Sequence, residues 1–197
     1  MAVSDSDYER LLTFMRSLGP VPDDVMAIMR EQVTTRRFAK REHFIRVGDP
    51  ADAISLVVAG VVKVYYVIED GSEHIRAFQD EGKPAAPYSA LLTGAPSDVA
   101  IQALEDSRLL TMPYSRFASF YERFPVWQQV GRRLAEAVLM ERERREYELL
   151  TMSAADRYRA FCESSPSLLQ RLPQYEIAAY LGVSPVSLSR IRAKLGK

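Results

Sequence analysis

The sequence predicts an α+β protein: two helices, an all-β body, one long helix and then a cluster of short ones. Three observations carry that reading. Before Val33 and again beyond Tyr114, apolar residues recur every three or four positions, the period of a helix face. From Thr34 to Pro113 the chain is rich in Val, Ile, Phe and Tyr, with turn signals about every ten residues. No Rossmann or P-loop glycine pattern interrupts that stretch.

The first stretch, DYERLLTFMRSLGPVPDDVMAIMREQV, reads as two amphipathic helices. Leu11, Leu12, Phe14, Met15 and Leu18 line one face before Gly19-Pro20 ends the first, and Asp23 and Asp24 sit where a helix start favours acids. The β-stretch is punctuated at Gly48-Asp49-Pro50, Gly60 and Asp70-Gly71. Asp70-Gly71 lies between VVKVYYVIE and SEHIRAF, a strong hairpin signal. Short strands continue through VAIQALEDSRLLTMP. The paired carboxylates Glu69-Asp70 and Glu105-Asp106 fall at predicted turns and are read as turn residues.

After Pro125 comes a proline-free helical stretch with a single glycine, VWQQVGRRLAEAVLMERERREYELL. Trp127, Val130, Leu134 and Ala137 or Val138 fall at near-heptad spacing, which predicts a seam for a partner helix; packing on the chain's own β-body is the alternative. In ERERRE, Glu141 with Arg145 and Arg142 with Glu146 stand at the spacing of i,i+4 ion pairs on a solvated face. Ser153, with Asp156 three residues on, starts a tail of three predicted short helices. One runs to about Glu163, one from Pro173 to Leu181 and one from Pro185 to Leu195.

Composition narrows the class. At 197 residues, 47% hydrophobic and 26% charged, the chain has the make-up of a folded protein. No apolar run approaches the roughly 18 residues of a membrane span, and the acidic start MAVSDSDYER lacks the apolar core of a signal peptide. One cysteine, Cys162, forms no intrachain disulfide and no metal cluster, so a cytoplasmic protein is expected. The net charge is zero, yet residues 151–197 carry seven bases against three acids, leaving +4 there and −4 on the remainder. A basic tail on an acidic body points to a polyanionic partner.

The last predicted helix explains that charge. Ser184 is its cap and Pro185 fits its first turn, where no N–H is needed. Leu188, Ile191 and Leu195 share one side; Val186, Ser189, Arg190, Ala193 and Lys194 share the other, with Ser187 at its edge. No acid lies between Ser184 and Lys197. A helix entering a major groove about 12 Å wide needs slim side chains and a long forked donor, here Arg190, with Val186 placed for a thymine methyl. Arg192, Lys194 and Lys197 suit phosphates. Ile177, Ala178, Leu181, Val183, Leu188 and Ile191 are apolar or small around Gly182, as a helix-turn-helix requires. Gln174 and Tyr175, at the start of the preceding helix, join Ser184, Val186, Ser187, Ser189, Arg190, Arg192 and Lys194 as the expected DNA-contacting set.

With these residues in place, nearly the full chain resembles the CRP/FNR family of bacterial transcription regulators. KREHFIRVGD, VVAGVVKVYY and EDGSEHIRAF are similar to the family's cyclic-nucleotide-binding β-roll, a double-stranded β-helix. The helix after Pro125 and the tail resemble its dimer helix and DNA-binding domain. The resemblance implies a sensory β-roll with N-terminal helices over 1–124, a dimerisation helix over 125–150 and a helix-turn-helix domain over 151–197. It implies a homodimer on an inverted-repeat operator in double-stranded DNA, with RNA polymerase and a small-molecule effector as further partners. Positions matching Pro185, Val186, Ser189 and Arg190 face the bases in that family. Arg190 keeps the family's residue type, whereas Pro185 and Val186 depart from its more usual Arg-Glu pair. The chain ends without the sequence for a C-terminal β-wing.

The sensor stretch departs further. Cyclic-AMP binders of the family carry Gly-Glu-x-x-Leu and, about ten residues on, an arginine-containing pair. Here AAPYSALLTGAPSDVAIQAL puts Ala86-Pro87 and Ser97-Asp98 at those places. A cyclic phosphate needs a cation or a nest of amides, so an effector other than cyclic AMP is expected, with Tyr88, Ser89, Ser97 and Asp98 as candidate pocket residues; a collapsed, silent pocket is the alternative. One cysteine cannot hold the iron–sulfur cluster of the oxygen-sensing branch, and His43 and His74 lie in predicted strands, where a lone histidine is read as a surface or hairpin residue. No cofactor, metal site or catalytic set is expected. The alternative to a DNA-binding regulator is a ligand-sensing or protein-interaction module whose helix-turn-helix no longer binds DNA.

Overall fold

A computed structural model describes residues 3–196. The chain opens with α1 (Asp5–Leu18) and α2 (Asp23–Gln32), as the periodicity predicts. Ser4 caps α1, its hydroxyl accepting the Asp7 N–H at 3.2 Å. Asp7 in turn is buried and receives both arms of the Arg108 guanidinium at 2.9 and 3.0 Å, tying α1 to the body.

The β-body consists of β1 (Thr34–Phe38), β2 (His43–Ile45), β3 (Ala53–Ala59), β4 (Val62–Val67), β5 (Glu73–Gln79) and β6 (Pro84–Ala85). After a short helix, α3 (Tyr88–Thr93), come β7 (Ala100–Ala103) and β8 (Ser107–Pro113). They form two antiparallel sheets of four strands, in the orders β1-β8-β3-β6 and β2-β7-β4-β5. Alternating residues of both sheets meet in one core, with Val57, Val62, Val64, Ile101 and Leu109 at its centre. This is the predicted double-stranded β-roll. The Asp70-Gly71 hairpin joins β4 to β5, and the Asp70 carboxylate accepts the Ser72 N–H at 2.8 Å. Gly60 turns β3 into β4 at φ +93°, where a Cβ would lie 2.3 Å from the Ser107 hydroxyl; no other residue fits that crossing.

Next follow α4 (Tyr114–Arg123) and the long helix α5 (Val126–Thr151). The structure corrects the predicted seam. Trp127, Val130 and Leu134 are fully buried in their own protomer, packed with Leu11, Met15, Phe117 and Phe120 against α1 and α4. An indole and two aliphatic side chains lose more water by filling this cavity than by waiting for a second helix, so the packing alternative holds for the first half of α5. The exposed apolar residues of α5 lie further on, at Leu139, Met140, Tyr147, Leu149 and Leu150. The expected pairs of Glu141 with Arg145 and Arg142 with Glu146 are also replaced. Arg145 stands 3.5 Å from Glu148, while Glu141 accepts from the Gln79 amide. Tertiary partners outweigh an i,i+4 attraction of a few tenths of a kcal/mol.

Among the described residues the tail folds as four helices rather than three: α6 (Ala154–Ser164), α7 (Pro166–Arg171), α8 (Gln174–Leu181) and α9 (Pro185–Lys194). The additional one, α7, is a single six-residue stretch begun by Pro166, and SSP in sequence reads as a break. Ser153 caps α6 as predicted, accepting the Asp156 N–H at 3.2 Å.

The tail is docked on the β-body. Tyr65, Ile75 and Phe78 of the sheets, with Val61 of the β3–β4 turn, share one apolar core with Phe161, Leu168, Ile177 and Leu181. Two ionic clasps border it. The Lys63 ammonium, 3% exposed, donates to both Glu176 carboxylate oxygens at 3.2 and 3.3 Å and to Glu73. Arg171 donates two bonds of 2.9 Å to Glu81 and another to Glu105. Among the described residues no helix is long and apolar enough to cross a membrane.

Candidate nucleic-acid interface and sensor cleft

The end of the chain is held in shape by its local chemistry. Gly182 leaves α8 in the left-handed region at φ 69°, and the Gly182 and Val183 amides close the helix on Ala179 and Ala178. Ser184 then caps α9, its hydroxyl accepting the Ser187 N–H at 3.2 Å, with Pro185 in the first turn. The inward side of α9 follows the sequence reading: Leu188 is buried among Ile177, Ala178 and Leu181, with Val183, Ile191 and Leu195 packed beside it.

The outward side is what the pattern predicts for most positions. Val186 is 61% exposed, and Ser189, Arg190, Ala193 and Lys194 are exposed with it. Gln174 and Tyr175 are exposed in the first turn of α8. Ser187 is half-buried and bonded to Ser184. Arg192 behaves differently. It is half-buried, and its charge opposes the rise that burial gives the Tyr158 phenol on α6. It faces the protein rather than the outward surface. Lys197 lies outside the described residues.

The candidate effector residues do not form one pocket. Ser97 is buried and fully engaged, donating to the Val99 carbonyl at 2.7 Å while its backbone pairs with Gly48 and Asp49. Asp98 and Ser89 are exposed, and neither they nor Ser97 border the cleft between the β-body and α5. Tyr88 does. That cleft, about 700 Å³ counted to open solvent, lies between β5, the start of α3 and α5. Its inner wall is apolar (Ile54, Val64, Pro84, Leu134, Val138), and its other end carries Arg76, Arg142, Arg144 and Arg145.

Arg145 was legible in sequence only as part of a solvated ERERRE face. The structure places it 8% exposed at the junction of α5 with α8, its guanidinium 3.8 Å from the centre of the Tyr180 ring and donating to the Tyr180 carbonyl. Burial pulls its pKa below the ordinary arginine value. The two histidines are strand residues, as read. His43 bonds the Tyr65 hydroxyl at 2.9 Å and is held below its ordinary pKa by burial, then by Arg46; Tyr65 is pushed up to about 12, first by burial. His74 is exposed on β5.

Comparison with known proteins matches this architecture. Residues 35–124 match the cyclic nucleotide-binding domain family. The chain is 27% identical over 175 residues to the transcriptional activator protein anr of Pseudomonas aeruginosa, covering 79% of this chain and 68% of that protein. It is 24% identical over 169 residues to the anaerobic regulatory protein of Pasteurella multocida, covering 80% of this chain and 61% of the other. The match therefore spans about two thirds of the length of these curated relatives. In the solved structures, FixK2 from Bradyrhizobium japonicum superposes with a TM-score of 0.74 at 22% identity, over 83% of this chain and 84% of that one. This last likeness is one of fold.

Proposed function

We propose that the chain, as a member of the CRP/FNR family, is a homodimeric, sequence-specific DNA-binding transcription regulator. The observation that carries the reading is the two-sided character of α9. One side is locked into the core by Leu188, and the other presents Val186, Ser189, Arg190 and Lys194 to solvent with no acid among them. Arg190 is the base reader, with its forked donors suited to guanine. Lys194, Gln174, Tyr175, Ser184 and Ser187 position the backbone, and Val186 and Ser189 line the groove floor.

In this reading residues 1–124 sense, 125–150 dimerise and 151–197 bind DNA, in the cytoplasm where the operator lies. Two copies of α9 would stand about 34 Å apart and read an inverted repeat. The dimer contact falls to the exposed second half of α5, where Met140, Tyr147 and Leu150 recur at heptad-like spacing. The β-roll acts by shifting the docked tail, and so the spacing of the two recognition helices. The effector is read as one other than cyclic AMP, because Ala86-Pro87 and Ser97-Asp98 stand where the family's cyclic-AMP binders carry Gly-Glu and an arginine-containing pair. RNA polymerase is the further protein partner, and no catalytic role is assigned.

Fluorescence anisotropy with fragments of the protein's own promoter tests this. A tight, salt-sensitive complex is expected, weakened by about 1–3 kcal/mol in Arg190→Ala and less, without change of preferred sequence, in Lys194→Ala. A complex that survives both substitutions unchanged would remove α9 from the interface. Absence of any specific complex at moderate salt would leave a sensing or interaction module.

A further inference from the structure

The cleft beside α5 holds a cation whose donors the protein satisfies only in part. Arg145 is 8% exposed, yet among the described residues its Nε and Nη1 have no hydrogen-bond partner. One of its donors goes to the Tyr180 carbonyl, and Glu148 forms an ion pair with it at 3.5 Å, too long for a hydrogen bond. A buried guanidinium left with open donors is costly, by more than a neutral group would be. Arg76 and Arg142 border the same space, and among the described residues neither has a carboxylate partner within ion-pair distance. The one acid on the wall, Glu141, already accepts from Gln79.

The opposite end of the cleft has no charge at all. Ile54, Pro84 and Leu134 form part of its wall, and the same three residues border a second void beneath α1. That void is lined by Leu11, Phe14, Met112 and Phe117 among others. An inorganic anion would satisfy the arginines and leave the apolar wall wet. An apolar molecule would do the reverse. We propose that the cleft binds an amphipathic organic anion, its carboxylate or phosphate head on Arg145, Arg76 and Arg142 and its apolar body along Ile54, Pro84 and Leu134.

The position of Arg145 gives such a ligand a route to the tail. Its guanidinium stacks on Tyr180 and bonds the Tyr180 carbonyl, at the last turn of α8. A head group that recruits Arg145 competes with that bond, and α8 carries α9. This deepens the sensing half of the proposed function and rests on that reading only for its effect at DNA. Binding is therefore measured on the free, full-length protein.

The experiment is isothermal titration calorimetry with decanoate, decyl phosphate, decanol and inorganic phosphate. Decanoate or decyl phosphate is expected to bind at one site per chain, and whichever binds more tightly names the head group. Decanol and inorganic phosphate should each bind at least about tenfold more weakly, since each lacks one half of the recognition. The double variant Arg76→Gln/Arg142→Gln, which leaves the Tyr180 contact intact, should lose about tenfold or more, and Arg145→Met should lose more again. Undiminished affinity in both variants, decanol equal to decanoate, inorganic phosphate equal to decyl phosphate, or no binding by either amphiphile overturns the proposal. DNA affinity with and without the amphiphile is read separately by anisotropy. If the bare protein binds no DNA, the regulator reading fails and the ligand site stands.

Discussion

Two arginines two positions apart on α9 show how a single residue's environment sets its role. Arg190 is exposed on the side of Val186 and Ser189, whereas Arg192 is half-buried beside Tyr158. At 100° per residue two positions are far apart around a helix, so one arginine faces a groove while the other braces α9 on α6. Arg192→Met is therefore expected to lower the thermal midpoint while leaving DNA affinity close to the parent. Arg190→Ala should do the opposite. Differential scanning fluorimetry paired with anisotropy on the same samples distinguishes the two, and equal losses of DNA binding would return Arg192 to the phosphate contacts that its sequence position suggests.

Among the elements, α5 does two jobs in sequence. Its first half is a core helix, with Trp127 and Val130 wholly buried against α1 and α4. Its second half leaves Met140, Tyr147 and Leu150 exposed on the same stripe. In the proposed dimer, large apolar side chains repeating at that spacing supply the seam. Met140→Glu/Tyr147→Glu should convert a dimer into a folded monomer by sedimentation velocity, with circular dichroism unchanged. Trp127→Ala, by contrast, should cost about 3–5 kcal/mol in urea denaturation with no change in association, because it opens a cavity inside one protomer. If the charge pair left the dimer intact, the seam would have to lie elsewhere.

For the whole molecule, the tail and the β-roll share one apolar core bordered by two ionic clasps, and the clasps differ in kind. Lys63 and Glu176 are both almost fully buried, so removing one leaves an uncompensated charge. Lys63→Met is expected to destabilise the protein by about 3–5 kcal/mol, and Lys63→Met/Glu176→Leu to recover most of that loss in the same urea measurement. The second clasp is sensitive to pH. Bonding to Arg171 holds the Glu81 carboxyl at about 2, below its ordinary 4.5, against the opposing effect of burial. A depressed carboxyl binds fewer protons folded than unfolded, so its contribution is complete above 4.5 and fades as pH falls toward 2. Stability measured across that window should fall with pH less steeply in Glu81→Gln than in the parent. An identical slope would mean that Glu81 does not carry the linkage.

The sequence by itself determined the order of elements, the β-roll with its Asp70-Gly71 hairpin, and the two faces of α9. Each depends on neighbours a few positions away: a period of two or 3.6, a turn glycine such as Gly182, a serine cap such as Ser184. It also placed Val186, Ser189, Arg190 and Lys194 on one face, because a helix fixes which side chains travel together. Only the tertiary structure decided what those elements meet. It sent Trp127, Val130 and Leu134 into their own core, separated Ser97 from Tyr88, turned Arg192 inward, and drew Arg145 out of an apparently solvated run onto Tyr180. Those outcomes depend on contacts between residues far apart in the chain, 35 positions for Arg145 and Tyr180 and 113 for Lys63 and Glu176. Local periodicity tells which side of an element is apolar or charged; it carries no information about the surface that will be pressed against it.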